Sequence, residues 1–350
     1  MSIDLFETRR MIASLEQRKR PFSFFLSTFY REEDLSETAH IDIDIDRGGK
    51  RVMAAFVNSK LQGQAVTRRG FKTRSYKPPY VKPKRPTTAE DCLKRGMGES
   101  VYTASSPLQR AGQILGKDLG GLDDMIIMRE EWMAACGVQT GQVIVQGEGV
   151  DDVLDFDMLD SHKPVLGGTD IWTAHSTARP LRKLRDWSEL IQEDSGKVPT
   201  VGVFGKTAWN NFMDCDEISG SAAGKKSLFD LRAIDVGRID PQMLAMAGVT
   251  YQGYLKEINM DMYTYVGTFY NDVTGETEYL MNPNKVLLGC TDARCVRHYG
   301  VIDDIEALVA VRRFPKTWIE KDPGVRQLLV QSAPLMANHQ PDAFVCATVC

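Results

Sequence analysis

The sequence predicts an α+β protein, and three observations carry that expectation. Helical and strand periodicities alternate irregularly along the chain, without the βαβ repetition of a parallel sheet. One stretch after Ser105 reads as a single long helix. A third stretch, residues 47–95, is a basic ribbon too poor in apolar side chains to own a core.

The chain opens with a charged, helix-like segment followed by Phe22, Phe24, Phe25, Phe29 and Tyr30. It lacks an apolar stripe of its own. It therefore reads either as an arm that packs on another chain or as a helix packed on its own domain. Ile41, Ile43 and Ile45 then alternate with Asp42, Asp44 and Asp46, the period of a strand with one buried face. Gly48-Gly49 makes a turn, and Pro78, Pro79, Pro83 and Pro86 keep the return path extended. Only 16 of the 49 residues from Arg47 to Arg95 are apolar, so a two-stranded ribbon there cannot stabilise itself in water.

Ser105-Ser106-Pro107 is a helix start, a serine cap before an early proline. Leu108, Ala111, Leu115, Leu122, Ile126 and Met133 follow at helical spacing, with Gly120-Gly121 permitting a bend or break between the halves and Gly137 a stop. Val143–Val145 and Val153–Phe156 resemble a hairpin around Gly147-Glu148-Gly149. Residues 178–194 form an amphipathic helix with Leu181, Leu184, Trp187 and Ile191 on one face. A buried strand at Val198–Phe204, a short helix through Trp209 and Phe212, strands from Thr250 to Leu288 and late apolar segments complete the body.

Charge is the sharpest signal. The net charge of −4 hides a block of +12 at residues 47–95, between an N-terminal −4 and a remainder of −12. A ribbon without a core needs an external surface, and at +12 that surface should be acidic. The alternative is nucleic-acid binding by the basic 47–95 segment, with Phe71, Tyr76 and Tyr80 stacking on bases. The acidic remainder and a pI of about 5.8 weigh against it.

Catalytic motifs are not satisfied. Gly220-Ser221-Ala222-Ala223-Gly224-Lys225-Lys226-Ser227 has three residues between its glycines where a phosphate loop needs about four. Asp42, Asp44 and Asp46 lack the glycine and distal glutamate of a calcium loop. Cys290, Cys295 and His298 lack the second pair that a zinc site requires, and would be the one site of an enzymatic reading. No catalytic, cofactor or metal residues are assigned. Seven scattered cysteines suit free thiols in a reducing compartment. No apolar run reaches the ~20 residues of a membrane span, and the N-terminus has no signal-peptide pattern.

A set of collinear motifs is similar to the phage lambda major capsid (head) protein family. They are Tyr80-Val81-Lys82-Pro83-Lys84, Val286-Leu287-Leu288-Gly289 through Arg294, Tyr299-Gly300, and Phe314-Pro315-Lys316-Thr317-Trp318. Asp322-Pro323, Gln331-Ser332-Ala333-Pro334-Leu335-Met336 and Pro341-Asp342-Ala343-Phe344-Val345 complete it. The resemblance is strong over 284–350, weaker over 150–280, and departs most at 200–240. It implies the HK97-like major capsid fold: an N-terminal arm (1–40), an extended β-loop (41–90) and a peripheral domain with a spine helix (91–159). An axial domain (160–308) and a return to the peripheral domain (309–350) would follow.

The function implied is that of a tailed-bacteriophage major capsid protein forming hexamers and pentamers of an icosahedral head around double-stranded DNA. Implied partners are other copies of the chain, a scaffold, a portal, in some branches a decoration protein, and non-specific DNA at the inner face. The implied location is the virion, with assembly in the host cytoplasm. On this reading the subunit interface uses Arg47, Lys50, Arg51, Lys60, Arg68, Arg69, Lys72, Arg74, Lys77, Lys82, Lys84 and Arg85. Phe56, Val57, Phe71, Tyr76 and Tyr80 supply loop packing.

Overall fold

The computed structural model describes residues 7–18, 23–46, 53–60, 62, 70–94, 106–219, 234–235, 248–271, 275–305, 309–322 and 324–350. Helix α1 (Thr8–Gln17) buries Met11 and Leu15, and the short α2 (Phe24–Thr28) buries Phe24, Phe25 and Leu26. With Phe29 and Tyr30, those aromatics belong to the main core of their own chain. Of the two readings of the arm, packing on its own domain is the one that holds.

Strands β1 (Glu32–Leu35), β2 (Ile41–Ile45), β3 (Lys72–Tyr76) and β4 (Lys84–Thr87) follow, the middle two pairing antiparallel as the root of the ribbon. The β2 alternation is literal: its three isoleucines are buried and its aspartates exposed. After the one-turn helix α3 (Ala89–Leu93), the long helix α4 (Pro107–Gln139) starts at Ser106. The Ser106 hydroxyl accepts from Gln109 N–H at 3.3 Å, and the Gln109 side chain accepts from Ser106 N–H at 2.9 Å. Its 33 residues span about 50 Å.

Two expectations about α4 are corrected. Gly120-Gly121 produces no break; the bare Gly120 lets the Arg18 guanidinium approach and donate to its carbonyl at 2.6 Å, and Gly121 faces the Arg85 guanidinium. Gly137 does not end the helix, which runs two residues further. A Cβ there would sit 2.6 Å from the Tyr30 hydroxyl, so close approach of the arm requires this glycine.

Beyond α4, β5 (Gln142–Gly147) and β6 (Val150–Asp155) form the expected hairpin around Glu148-Gly149. Helix α5 (Pro180–Ser195) buries the predicted Leu181, Leu184, Trp187 and Ile191. Then come β7 (Val201–Phe204), α6 (Lys206–Asp214), α7 (Asp216–Ser219), β8 (Ile234–Asp235), β9 (Val249–Leu255) and β10 (Met260–Tyr265). A second hairpin, β11 (Thr268–Asn271) with β12 (Glu276–Tyr279), precedes β13 (Lys285–Gly289) and β14 (Cys295–Tyr299). The chain closes with β15 (Phe314–Glu320), β16 (Val325–Gln331), β17 (Pro334–Asn338) and β18 (Phe344–Thr348).

The main core surrounds a six-stranded sheet in the order β18-β13-β7-β10-β9-β8. Its central strands β7 and β13 read as continuous apolar runs because both faces are covered. A smaller core joins Met11 and Leu15 of α1, Leu119, Leu122 and Ile126 of α4, and Leu328 and Val330 of β16. Sheet partners cross the expected segment boundaries. β14 lies within the stretch expected to be axial but pairs with β1 and β17, while β18 leaves the return segment to pair with β13.

Buried charge ties these layers to α4. The Arg313 guanidinium donates to Asp123 at 2.7 Å, to both Glu130 oxygens at 2.8 and 3.0 Å, and to Ser332 at 3.1 Å. Glu131 faces the arm, accepting the N–H groups of Phe25 at 2.8 Å and Leu26 at 3.0 Å and the Tyr265 hydroxyl at 3.3 Å. Burial outweighs these hydrogen bonds and pushes the Glu131 carboxyl up to about 7.

Arg313→Ala leaves the buried Glu130 and Asp123 with only the more distant Arg312 at 3.7 Å and Arg18 at 3.9 Å, and should lower the unfolding free energy by about 3 kcal/mol in urea denaturation. Glu131 gives a pH dependence of known sign. Between its ordinary 4.5 and about 7 the folded state keeps a proton that the unfolded chain has released. Stability from this group therefore falls as pH climbs through that window and levels off above it. Glu131→Gln should flatten that part of the stability–pH profile.

Candidate functional site

The residues expected at a subunit interface divide into a root, a tip and a return path. At the root, the register pairs Ile41 with Tyr76, Ile43 with Arg74 and Ile45 with Lys72. The isoleucine face and the basic face of the ribbon are therefore one face, and it is turned onto the chain's own body. Arg74 forms an ion pair with Asp157 and another with Asp155 at 3.3 Å, and donates to the Asp155 carbonyl at 2.9 Å. Lys72 reaches Asp157 as well. The Tyr76 hydroxyl donates to the Asp155 carbonyl at 2.8 Å and accepts from Asp155 N–H at 3.1 Å. Asp157 holds a left-handed backbone, φ +58°, a conformation an aspartate tolerates better than a branched residue.

The return path is equally occupied. The Tyr80 hydroxyl donates to the Val301 carbonyl at 2.6 Å and accepts from Asp303 N–H at 3.2 Å. Lys82 stands over the Tyr80 ring, 4.7 Å from its centroid. Lys84 and Arg85 belong to β4, which pairs with β16, and Arg85 donates to Asp118 at 2.9 Å. Lys77 is exposed at the mouth of a cavity that it lines with Glu37 and Asp303.

Six expected interface residues thus have partners within their own chain: Lys72, Arg74, Tyr76, Tyr80, Lys82 and Arg85. The expectation that the whole basic segment lacks an intramolecular home is corrected for them. Apart from Lys82, which rests on the Tyr80 ring of the same segment, their charges and hydroxyls answer acids and carbonyls of the hairpin, α4 and the residues from Val301 to Asp303.

The tip is different. Phe56 is 104% exposed, Met53 88% and Phe71 68%, with Val57 and Lys60 also open to solvent. Arg47, Lys50, Arg51, Arg68 and Arg69 lie outside the described residues. Met53, Phe56, Val57 and Phe71 are thus apolar side chains left in solvent on a charged ribbon. A second exposed series was missed: Ile144, Val150 and Val153 on the β5–β6 hairpin, beside the exposed Glu148, Asp151 and Asp152. Its signal lay in the sequence, because Val143 to Val145 and Val153 to Phe156 offer apolar residues at successive positions and so to both faces.

The enzymatic candidates do not assemble. Cys290 and Cys295 are buried, and burial pushes the Cys290 thiol up to about 12 and Cys295 further, so neither is a ready thiolate. Cys295 points at Asn338, and His298 turns to Asp34 and His339. Among the described residues no group of three or more His, Cys, Asp or Glu could hold a metal ion. No described helix is long and apolar enough to cross a membrane.

Root and tip should respond oppositely to substitution. Arg74→Glu places like charge against Asp155 and Asp157 and should cost the isolated subunit about 1–3 kcal/mol, with faster hydrogen exchange along β2. Phe56→Ala should change subunit stability by less than about 0.5 kcal/mol in the same urea titration.

Comparison with known proteins gives this arrangement its context. A family model described as phage major capsid protein E matches residues 7–349. The major capsid protein of enterobacteria phage P21 is 27% identical over 356 residues, covering 99% of each chain, and that of Escherichia phage lambda is 27% identical, covering 98% of each. The solved structure of a prophage capsid protein from E. coli CFT073 superposes with a TM-score of 0.76 at 21% identity, over 98% of this chain and 99% of that one. These comparisons give no support to the nucleic-acid-binding alternative. A ribbon rooted at home with an uncovered tip, on an HK97-like α+β body, is thus the fold of a capsid subunit, and the chain belongs to the phage major capsid protein E family, structural proteins of the tailed-phage head and not enzymes.

Proposed function

We propose that the chain builds the head by laying the tip of its ribbon across the body of a neighbouring copy, closing rings of six and five subunits. The observation that carries this is the full exposure of Phe56, with Met53 and Phe71 also open to solvent, on a segment whose root is firmly seated. The exposed hairpin of β5 and β6 suits the receiving role. Ile144, Val150 and Val153 offer apolar contact, while Glu148, Asp151 and Asp152 complement the basic tip. Such contacts are heterologous, so each copy both gives a ribbon and receives one, and the set closes when the rotation closes.

The segments divide on this reading into arm (1–40), extended β-loop (41–90), peripheral body with the spine helix α4 (91–159), axial part (160–308) and return (309–350). Assembly takes place in the host cytoplasm, with scaffold and portal present, and a decoration protein is a further partner in some branches of the family. The finished shell sits in the virion. Its inner face meets packaged double-stranded DNA without reading sequence. A net charge of −4 keeps the lining from gripping its cargo.

Phe56→Asp combined with Phe71→Asp should abolish particles in negative-stain images and light scattering while circular dichroism stays that of the wild type. Normal shells from that folded variant would overturn the reading.

A further inference from the structure

Two of the five histidines, His298 on β14 and His339 just past β17, meet behind the root of the ribbon. Both are buried; their Nε2 atoms lie 3.3 Å apart, with ring planes at 61°. Each outer nitrogen faces an acceptor. His298 Nδ1 is 2.9 Å from an Asp34 carboxylate oxygen on β1, and His339 Nδ1 is 2.8 Å from the Asp44 carbonyl oxygen on β2. The His339 backbone extends the same hold, donating to the Arg294 carbonyl at 3.0 Å and accepting from Asp46 N–H at 2.9 Å. Strand β2 therefore rests on His339 at two points.

The charged groups facing the pair come from three sides. Asp34 approaches from β1 and Arg294 from the turn before β14. Asp44 approaches from β2, its carboxylate taken up by the Thr73 hydroxyl of β3 at 2.6 Å. Cys295 and Asn338, on β14 and β17, bond to each other and bring no charge.

Counting protons shows what this arrangement permits. A carboxylate and a carbonyl oxygen only accept, so both Nδ1 atoms must carry hydrogen. Two neutral imidazoles have then used both of their protons, and two Nε2 lone pairs confront each other. One further proton fits between them. A second has no acceptor and would set two cations side by side next to Arg294. Two imidazoles released into water, by contrast, each take a proton below about 6.5.

We propose that the His298–His339 pair is an acid-released latch fastening the root of the ribbon to the body. Burial is the main cause that weakens proton binding at both rings, and for His339 the neighbouring His298 adds to it. The hydrogen bond that His298 donates to Asp34 opposes this, but the accepting carboxylate is 57% exposed and therefore screened. The sign follows: the open latch binds more protons than the closed one below about 6.5, so the latch is engaged above that pH and weakens as pH falls. The net uptake grows towards one proton, so the change is about threefold over the first pH unit below 6.5 and approaches tenfold per unit below that. The latch acts within one chain and stands whether or not the tip docks on a neighbour.

Hydrogen exchange of the purified full-length subunit at pH 7.5, 6.5 and 5.5, corrected for the intrinsic pH dependence of exchange, tests it. Amides of 41–46 should lose protection about threefold between pH 6.5 and 5.5, while those of β18 serve as an unchanged internal reference. The His298→Gln/His339→Gln variant should show no such loss. The latch is refuted by constant protection of the wild-type root across the range, or by a loss confined below about pH 4.5, where carboxylates titrate. It is equally refuted by the same loss in the double variant. If circular dichroism shows that variant unfolded, the wild-type profile decides alone.

Discussion

A strongly basic ribbon with few apolar residues cannot hold its own shape, and the rest of the molecule answers that constraint. The answer is asymmetric. Three isoleucines, Arg74, Lys72 and Tyr76 share one face of the root, and that face is pressed onto Asp155, Asp157 and the core of the same chain. Beyond that face, among the described residues, Phe56 and Phe71 stand in solvent. A fixed root gives the ribbon a direction; an uncovered tip gives it a reason to bind. Both properties suit the proposed role, in which the ribbon reaches a neighbour without collapsing on its own body.

Helix α4 is the frame on which this rests. Its side chains are not a uniform apolar stripe, because Asp123, Glu130 and Glu131 are buried on it. Each has a defined partner: Arg313 from the turn before β15, with Ser332 completing the cluster, and the N-terminus of α2 in the arm. Buried pairs of this kind add little net stability over an apolar core, but losing one partner is costly. They fix the register between helix, arm and return strands. Arg18 adds a bidentate contact to Asp124 at 2.8 and 2.7 Å, so both ends of the chain are keyed to one helix.

Much of this was legible in the sequence. The Ile/Asp alternation of 41–46, the serine cap of α4, the hairpin at 147–149 and the amphipathic α5 follow from local periodicity and capping, which are sequence-local properties. The need for an outside surface followed from charge and composition. Legibility stopped where contacts join distant residues. Nothing local says that Arg74 meets Asp157, that Gly120 and Gly137 admit Arg18 and Tyr30, or that His298 and His339 touch. Dispersed histidines and a glycine pair carry no periodic signal, so their roles appear only when the sheets bring them together.

The central claim is that the tip finds its cover on an identical neighbour while the root stays at home. A cryo-EM reconstruction of particles assembled from this chain tests it most directly. The account predicts Phe56 and Phe71 buried against the body of the adjacent copy, with Arg74 still on Asp155 and Asp157 of its own chain. A tip left in solvent or folded onto its own chain, or a root exchanged onto the neighbour, would contradict it.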